Sequence, residues 1–277
     1  MVTMNGIELH DLHLKDLQNP IHPSIYESFN DYKILILRLP ELWEGKANIL
    51  SLRLPEFWDT KGKFLSYGFV ITTNKVCYYD KKQELFIDYP EGMKDLYHFL
   101  DTKIDALMDD IDMAQEKIAF IEEGLYKKYN SKLMDRWHTL KKELSRSERV
   151  IVKAVNTMGL FISKSKLSED TLQNEFNDLH EHLERTLRST VAANNQLDDL
   201  YRYYNLRSND RMNRSIYVLT IVSVIFLPLN LAVGFFGMNT GGLPFHDTSS
   251  GTVYAFESMI LFAVLLIGAV IWKIKKE

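Results

Sequence analysis

Polar and small residues recur along one face of a strongly apolar segment near the end of the chain. From Ser215 to Phe245 no side chain carries a charge. Polar groups inside hydrocarbon are costly unless they face protein or water, so a polar row in such a segment predicts a seam turned away from lipid. Alternating steps of three and four residues give the row Asn213, Ile216, Thr220, Ser223, Leu227, Asn230, Gly234 and Gly237. Such a row could support the passage of water or ions, and close packing of neighbouring helices through small residues is the alternative.

Asn230 is the member of this row that helix packing explains least well. Its amide lies near the middle of the apolar segment, two residues after Pro228, a residue type that bends helices. There it either caps the backbone of a neighbouring helix or lines a wet path. Two membrane spans cannot enclose a conduit by themselves, so a path along this face would require several copies of the chain around a closed ring.

A second group of chemically active residues is a row of acids on a predicted helix further upstream. The acids follow a spacing of four, four, three and four residues, which places them on one helical face: Asp101, Asp105, Asp109, Asp112 and Glu116. Carboxylates so arranged could hold a hard cation directly or through water. Because Lys103 and Lys117 interleave with them, a solvated helix face is the competing interpretation. Asp178 on a later helix allows the same two interpretations.

The histidines and hydroxyl residues form no recognisable catalytic arrangement. His180 and His182 are two positions apart, so on a helix they face different directions and are not expected to share an ion. No Ser/His/Asp or Cys/His constellation can be assigned, and the sequence contains no phosphate-binding glycine loop. We therefore expect a protein that is not an enzyme and that carries no cofactor.

Two apolar segments are long enough to cross a membrane. Ser215–Phe236 would rise about 33 Å as a helix, against a hydrocarbon core of about 30 Å. Val253–Trp272 is similar in length and contains one acid, Glu257. The connecting loop, Met238–Thr252, has no lysine or arginine, whereas basic residues flank the pair: Arg207, Arg211, Arg214, Lys273, Lys275 and Lys276. The positive-inside rule then predicts a multi-pass protein of the plasma (inner) membrane with both termini in the cytoplasm.

Net charge and cysteine content exclude several other classes. The chain has 277 residues and a net charge of -4. Since the part from Arg207 onward has more basic than acidic side chains, the larger remainder is acidic. A nucleic-acid-binding protein would need a basic face there, so nucleic acid is not an expected partner. The single cysteine, Cys77, excludes a disulfide framework and a multi-thiolate metal site.

Upstream of the apolar segments, the sequence predicts strands followed by long helices. Short runs rich in Ile, Val and Tyr predict strands at 31–38, 49–54, 65–72, 75–79 and 84–88. Three heptad series predict three long packed helices, and they start at Leu100, Leu133 and Leu172. No helix breaker occurs from Glu169 to Leu227, so the third helix is expected to enter the first apolar segment and end near Pro228. The predicted fold class is an α+β membrane protein with a small α/β domain and a long helical stalk.

The residues that flank the first apolar segment resemble those of a known family. Gly237-Met238-Asn239 follows the segment, Arg211-Met212-Asn213-Arg214 precedes it, and Thr240-Gly241-Gly242-Leu243-Pro244 continues the loop. With Pro228 and the basic C-terminal residues, these motifs resemble the CorA metal-ion transporter family, and most of all its zinc-transporting ZntB branch. The resemblance rests on motifs over residues 200–277 and on architecture elsewhere. Magnesium carriers of the family often place acids soon after the motif, and this loop offers only Asp247.

The resemblance implies a homopentamer in which the first span of each subunit lines a pore. Residues 1–90 would form the cytoplasmic α/β domain, 91–212 the helical stalk or funnel, 213–236 the pore-lining helix, 237–252 the outer loop and 253–277 the second span. Asn239 would form the outer ring that receives the hydrated ion, with Gly237 and Met238 shaping its turn. The other implied pore positions are Asn213, Leu219, Ser223, Leu227 and Asn230. The implied function is transport of Zn²⁺ or Mg²⁺, with Co²⁺ and Ni²⁺ as further candidates.

Two further hypotheses remain open from the sequence. A membrane-anchored coiled-coil scaffold that moves no ions would explain the spans and the heptads without any pore. Alternatively, acids of the stalk could bind the transported cation and hold a pore shut, and the candidates for that regulatory role are Asp101, Asp105, Asp109 and Asp178. The expected partners are further copies of the chain, membrane lipid and divalent cations.

Overall fold

A computed structural model of the chain describes residues 2–4, 7–43, 58, 62–73, 75–127, 131–165, 170–238 and 250–276. The chain divides into two compact units, Met1–Tyr201 and Arg202–Glu277. The first unit contains strands and helices, and the second is helical in its described residues.

The strands of the first unit form one short hairpin and one five-stranded antiparallel sheet. The hairpin pairs β1 (Val2–Met4) with β2 (Ile7–Leu9). The sheet has the order β3-β4-β5-β6-β7, in which each strand pairs with its sequence neighbour. Its strands are β3 (Ile25–Ser28), β4 (Lys33–Glu41), β5 (Lys63–Ile71), β6 (Val76–Asp80) and β7 (Leu85–Tyr89). Four predicted strands are therefore confirmed, and the fifth, at 49–54, lies outside the described residues.

A short helix, α1 (Asp11–Gln18), packs on one face of this sheet. Leu17 of α1 is fully buried in a hydrophobic cluster. The other buried members come from the hairpin and the sheet: Leu9, Ile34, Ile36, Val70, Cys77, Tyr79 and Phe86. The helix approaches β5 so closely that a Cβ at Gly68 would lie 2.6 Å from Leu17 Cδ2. A glycine at this register position is what allows α1 to sit directly on the sheet.

Three long helices follow the sheet, as the heptad series predict: α2 (Met93–Lys127), α3 (Ser131–Ser165) and α4 (Asp170–Phe236). Every apolar position of the first series is buried: Leu100, Ile104, Leu107, Ile111, Ala114, Ile118, Ile121 and Leu125. In α4 the series includes two threonines, Thr186 and Thr190, whose hydroxyls donate to backbone carbonyls one turn earlier at 2.8 Å. These bonds satisfy the hydroxyl hydrogens, so threonine can occupy buried positions of the helix interface.

Polar contacts join α3 to α4 outside the apolar seam. The Trp137 indole N–H donates to the carbonyl of Leu197 at 2.7 Å. Asn194, which is buried, donates from its amide to the Glu148 carboxylate at 2.6 Å. Lys141 donates to the carbonyl of the same asparagine at 3.0 Å. These directional bonds fix the register of the two helices, which apolar contacts alone leave adjustable.

The second unit consists of the end of α4 and of α5 (Gly251–Lys276). The expectation that α4 ends near Pro228 is wrong, because the helix continues to Phe236. Proline removes one backbone donor, so it leaves the carbonyl of Val224 without its helical partner while the turns on both sides remain bonded. A helix in apolar surroundings tolerates such an interruption.

One helix in the described part of the chain, α4, contains an apolar stretch long enough to cross a membrane, and none of that stretch is buried within the chain. The apolar part of α5, Phe256–Ala269, is shorter. The second predicted span is therefore helical, and its passage through a membrane stays a prediction.

Candidate functional site

The polar row of the apolar segment lies on an uninterrupted helix. Because α4 is continuous over this range, its geometry fixes the relative directions of the predicted pore residues. At about 100° per residue, four of the five fall within an arc of about 80°: Leu219, Ser223, Leu227 and Asn230. Asn213 lies about 40° outside that arc. Helical geometry therefore brings most of the predicted pore positions to one face.

This face is uncovered within a single chain. Leu219 is 66% and Leu227 is 71% exposed, and Ser223 and Asn230 are exposed as well. An uncovered face that mixes leucine with serine and asparagine requires either lipid or another subunit against it. Asparagine facing acyl chains would leave its amide without partners, which favours protein or water as the neighbour.

Hydroxyl groups near this face use their hydrogens within the helix. Ser223 Oγ donates to the carbonyl of Leu219 at 2.9 Å. Thr220 Oγ1 donates to the carbonyl of Ile216, also at 2.9 Å. With the hydrogen so placed, the remaining lone pairs of each oxygen are free to accept from water or to face a cation. The carbonyl of Val224, which Pro228 leaves without a donor, adds another acceptor at the level of Ser223.

The end of α4 explains why glycine follows it. The Gly237 N–H donates to the carbonyl of Val233 at 2.9 Å, and the Met238 N–H donates to the carbonyl of Phe235 at 3.3 Å. A Cβ at Gly237 would lie 3.1 Å from the Val233 oxygen, which is tighter than ordinary contact. The absence of a side chain therefore permits this close turn. Asn239, predicted as the outer ring, lies outside the described residues.

A second candidate site lies between α2 and α4 within the first unit. Asp101 and Asp105, one turn apart on α2, face His182 of α4, and potential ligand atoms of the three residues all lie within 4.8 Å of one another. Asp178, one turn before His182, places a carboxylate oxygen 3.7 Å from His182 Nε2. Three of the four predicted regulatory acids therefore meet around one histidine. Asp109 does not belong to the three-residue group that could hold a metal ion.

The surroundings of this group are electronegative. Burial, followed by the nearby carboxylates of Asp101, Glu175, Asp178 and Asp105, raises the pKa of Tyr97. The His182 side chain is 25% exposed, and its Nδ1 is shielded from solvent without a hydrogen-bond partner in the described part of the chain. An imidazole nitrogen between carboxylates is a donor set typical of Zn²⁺, Co²⁺ or Ni²⁺, whereas Mg²⁺ prefers oxygen ligands alone.

Sequence reasoning missed His182 as a member of this group. It correctly separated the two histidines of α4: His180 packs toward α3, where its Nε2 would lie 3.3 Å from a Cβ at Gly159, and His182 turns toward α2. The signal that could have revealed the role of His182 is its spacing of four from Asp178, which puts both on one helical face.

Comparisons with known proteins agree with this architecture. The family model described as CorA-like Mg2+ transporter protein matches residues 4–276. The divalent cation transporter CmaX of Pseudomonas aeruginosa is 27% identical over 182 residues, which cover 63% of this chain and 50% of CmaX. The zinc transport protein ZntB of Pectobacterium atrosepticum is 27% identical over 206 residues, which cover 70% of this chain and 60% of ZntB. The chain thus spans about half the length of these relatives.

The fold is also that of a solved structure. The CorA magnesium transporter from Methanocaldococcus jannaschii superposes with a TM-score of 0.76 at 17% identity, covering 95% of this chain and 83% of that one. This likeness establishes a CorA-like fold with an N-terminal α/β region and a long helix that continues into an apolar segment. Given the family match across nearly the whole chain, we conclude that the chain belongs to the CorA-like Mg²⁺ transporter family.

Proposed function

We propose that the chain is one subunit of a homopentameric divalent-cation transporter of the cytoplasmic membrane. The observation that carries the proposal is the mixed face of α4, where Ser223 and Asn230 lie uncovered on an otherwise apolar helix. Family membership supports the same conclusion, since relatives are named as carriers of divalent cations. In this arrangement α4 and α5 both span the membrane, and both termini lie in the cytoplasm.

The pore would use neutral groups rather than charges. Asn239, held by the turn of Gly237 and Met238, forms an outer ring of amide oxygens that accepts the ion with its waters. Asn213, Ser223 and Asn230 form polar stations along the path. Leu219 and Leu227 form apolar constrictions between them. Neutral oxygens suit an ion that dehydrates reluctantly, because they hold its hydration shell without removing it.

The energy for uptake would come from the membrane potential. A divalent ion entering a cell at about 100 mV, inside negative, gains roughly 4.6 kcal/mol, which corresponds to a concentration ratio of a few thousand. Conduction then requires only weak binding at each station, so that the ion also leaves. The transported ion is Zn²⁺ or Mg²⁺ in this proposal, with Co²⁺ and Ni²⁺ as candidates of similar charge.

Uptake by liposomes that contain the purified protein tests the proposal. Each metal is added outside vesicles that carry a divalent-ion dye, and the rates are compared for Mg²⁺, Zn²⁺, Co²⁺ and Ni²⁺. Asn239→Ala and Asn230→Leu are expected to reduce uptake, since each removes an amide from the path. The matched control is Ile225→Leu, which lies about 140° from Asn230 on the same helix, outside the arc of the predicted pore positions, and is expected to behave as the parent. If the parent moves no divalent ion above empty vesicles, the membrane-anchored scaffold is the correct alternative.

The group formed by Asp101, Asp105, Asp178 and His182 is proposed to bind a regulatory cation on the cytoplasmic side. Bound metal would tie α2 to α4 and hold the pore shut, so that high internal metal stops further uptake. Asp178 belongs to the site through its contact with His182. Asp109, although predicted with the others, would take no part, because it is neither in the three-residue group nor one turn from His182 on α4.

The regulatory proposal has its own assay. Inhibition of uptake by metal inside the vesicles is measured as a dose response for the parent and for a variant that combines Asp101→Asn with Asp105→Asn. The double variant should need about tenfold or more additional metal, a shift typical for the loss of groups that support a metal site. His182→Gln should weaken inhibition by Zn²⁺ more than by Mg²⁺, and Asp109→Asn should leave both unchanged. Identical curves for the parent and the double variant would remove the regulatory role.

A further inference from the structure

A cavity of about 340 Å³ opens between α3 and the β3–β4 side of the sheet. Its walls combine apolar and cationic side chains, namely Pro23, Val150 and Val152 with Arg38, Arg149 and Lys153. Within the first unit, this cavity is separate from the group around His182, since no residue of that group lines it. A volume of this size suits a small molecule rather than a macromolecule.

Arg38 is the least exposed of the three cationic side chains that line the cavity. Its guanidinium lies 5.6 Å from the centre of the Phe64 ring, and the guanidinium of Arg146 lies 5.1 Å from the centre of the same ring. Arg38 Nε is shielded from solvent and has no hydrogen-bond partner among the residues that the structure describes. Burial, followed by repulsion from Arg146, lowers the pKa of Arg38. A shielded guanidinium N–H without an acceptor is an incomplete arrangement.

Further positive charge from α3 lies along the same side. Arg146, Arg149 and Lys153 are spaced three and four residues apart, so they share one helical face. The one acid in the cavity lining, Glu148, already accepts the amide hydrogen of Asn194 at 2.6 Å. Within the described ranges, none of these three cations nor Arg38 forms an ion pair.

This local excess of cations runs against the charge of the whole chain, which is -4. Arg38, Arg149 and Lys153 outnumber the one acid that lines the cavity, so an anion bound among them would reduce their mutual repulsion. Two guanidinium groups and an ammonium present more donors than a carboxylate can accept, whereas a phosphate, with three strong acceptor oxygens and up to two negative charges, can accept from all three side chains. The apolar walls beside them would exclude water from a non-polar body attached to the anion.

We propose that this cavity binds a small organic phosphate, with the phosphate group held by Arg38, Arg149 and Lys153 and its apolar part resting on Pro23, Val150 and Val152. The proposal concerns a ligand of the first unit and does not depend on the transport of ions. Its bound ligand would join α3 to β4, so occupancy should stabilise that unit against unfolding.

Calorimetric titration of the detergent-solubilised full chain tests the proposal with phenyl phosphate, inorganic phosphate and benzoate as probes. Phenyl phosphate should bind most tightly, since it alone offers both the dianion and the apolar body. Arg149→Gln should weaken its binding about tenfold, the loss expected for one charge-assisted hydrogen bond. Lys164→Gln removes a charge from an exposed residue elsewhere on α3 and is the matched control.

Two more variants separate the parts of the proposed site. Arg38→Gln should weaken phenyl phosphate and inorganic phosphate alike, whereas Val152→Ala should weaken phenyl phosphate alone. Absence of binding to the parent would overturn the proposal, as would equal weakening by Lys164→Gln and Arg149→Gln. Should benzoate bind as tightly as phenyl phosphate, the assignment of a phosphate would be wrong.

Discussion

Replacing Lys117 by methionine should stabilise the protein at neutral pH, although it removes a charge from a cluster that contains acids. Lys117 is 3% exposed, and its Nζ lies 4.1 Å from the centre of the Trp43 ring and 5.4 Å from that of Trp58. Asp110 and Glu143 attract its positive charge, but burial outweighs that attraction and lowers the pKa of Lys117 to about 7. The amine is therefore difficult to protonate in the folded state.

The size of the expected stabilisation follows from the difference between the pKa of Lys117 in the folded chain and its pKa in the unfolded chain. The ordinary pKa of a lysine is 10.5, so at pH 7.5 the unfolded chain binds a proton at residue 117 that the folded chain largely lacks. Three pH units correspond to about 4 kcal/mol in favour of unfolding. Methionine fills nearly the same volume between the two indoles and carries no such penalty. Lys117→Met should therefore raise the free energy of unfolding by up to about 4 kcal/mol at pH 7.5.

The pH dependence tests the reasoning more sharply than the absolute value. Between pH 7 and about 10.5 the unfolded parent holds a proton at Lys117 that the folded parent has released. Holding that proton becomes less favourable as pH rises, so the parent gains stability until about pH 10.5, while the variant does not. The advantage of Lys117→Met should shrink by about 1.4 kcal/mol for each pH unit from 7.5 to 9.5. Guanidinium unfolding of the detergent-solubilised chain, followed by tryptophan fluorescence, measures this, because Trp43 and Trp58 adjoin the substituted side chain.

Lys94→Met is the matched control, because Lys94 is an exposed lysine near the start of the same helix. Because this lysine is exposed, the variant should not reproduce the pH-dependent gain of Lys117→Met. If the difference between Lys117→Met and the parent were equally flat from pH 7.5 to 9.5, Lys117 would be fully charged in the folded protein. The indole rings and the acids would then outweigh burial, and Lys117 would not destabilise the folded protein.

Two further predictions concern packing. Gly68→Ala places a Cβ 2.6 Å from Leu17 Cδ2. It should therefore lower the free energy of unfolding by about 1–3 kcal/mol in the same assay. An unchanged free energy of unfolding would mean that α1 moves aside at little cost. Trp137→Phe removes the donor to the Leu197 carbonyl. It should lower the free energy of unfolding by about 1–3 kcal/mol and speed amide hydrogen exchange in the neighbouring turn of α4. Unchanged exchange would contradict the role given to that bond.

The long helices were predictable because one physical requirement repeats along them. The apolar series from Leu100 to Leu125 recurs every 3.5 residues on average, and all of its members are buried. This repeat is visible within the helix itself, so the buried face can be predicted without knowing what packs against it. The strands were predictable for a similar reason, since Lys33–Glu41 and Lys63–Ile71 are rich in residues that fit a buried sheet. Local pattern was sufficient wherever a whole element carried the same signal.

Features that depend on a residue far away in the chain could not be predicted from the sequence. Helix α1 has only eight residues and one buried side chain, so its pattern is too short to recognise. The meeting of His182 with Asp101 depends on how α4 aligns with α2 across about eighty residues of sequence, which helical spacing within α4 does not encode. The same holds for Arg38 and Arg146, whose shared aromatic ring becomes visible only when strand and helix are placed together.

The missing backbone donor of Pro228 gives α4 a built-in joint. Elsewhere in the helix, tilting one part against the other would strain or break a backbone hydrogen bond, at about 0.5–1.5 kcal/mol each. Between Val224 and Pro228 that bond does not exist, so the helix bends most easily at this turn. Ser223 lies on one side of the joint and Asn230 on the other. A small bend therefore changes the directions of these two side chains relative to each other while the turns above and below stay rigid.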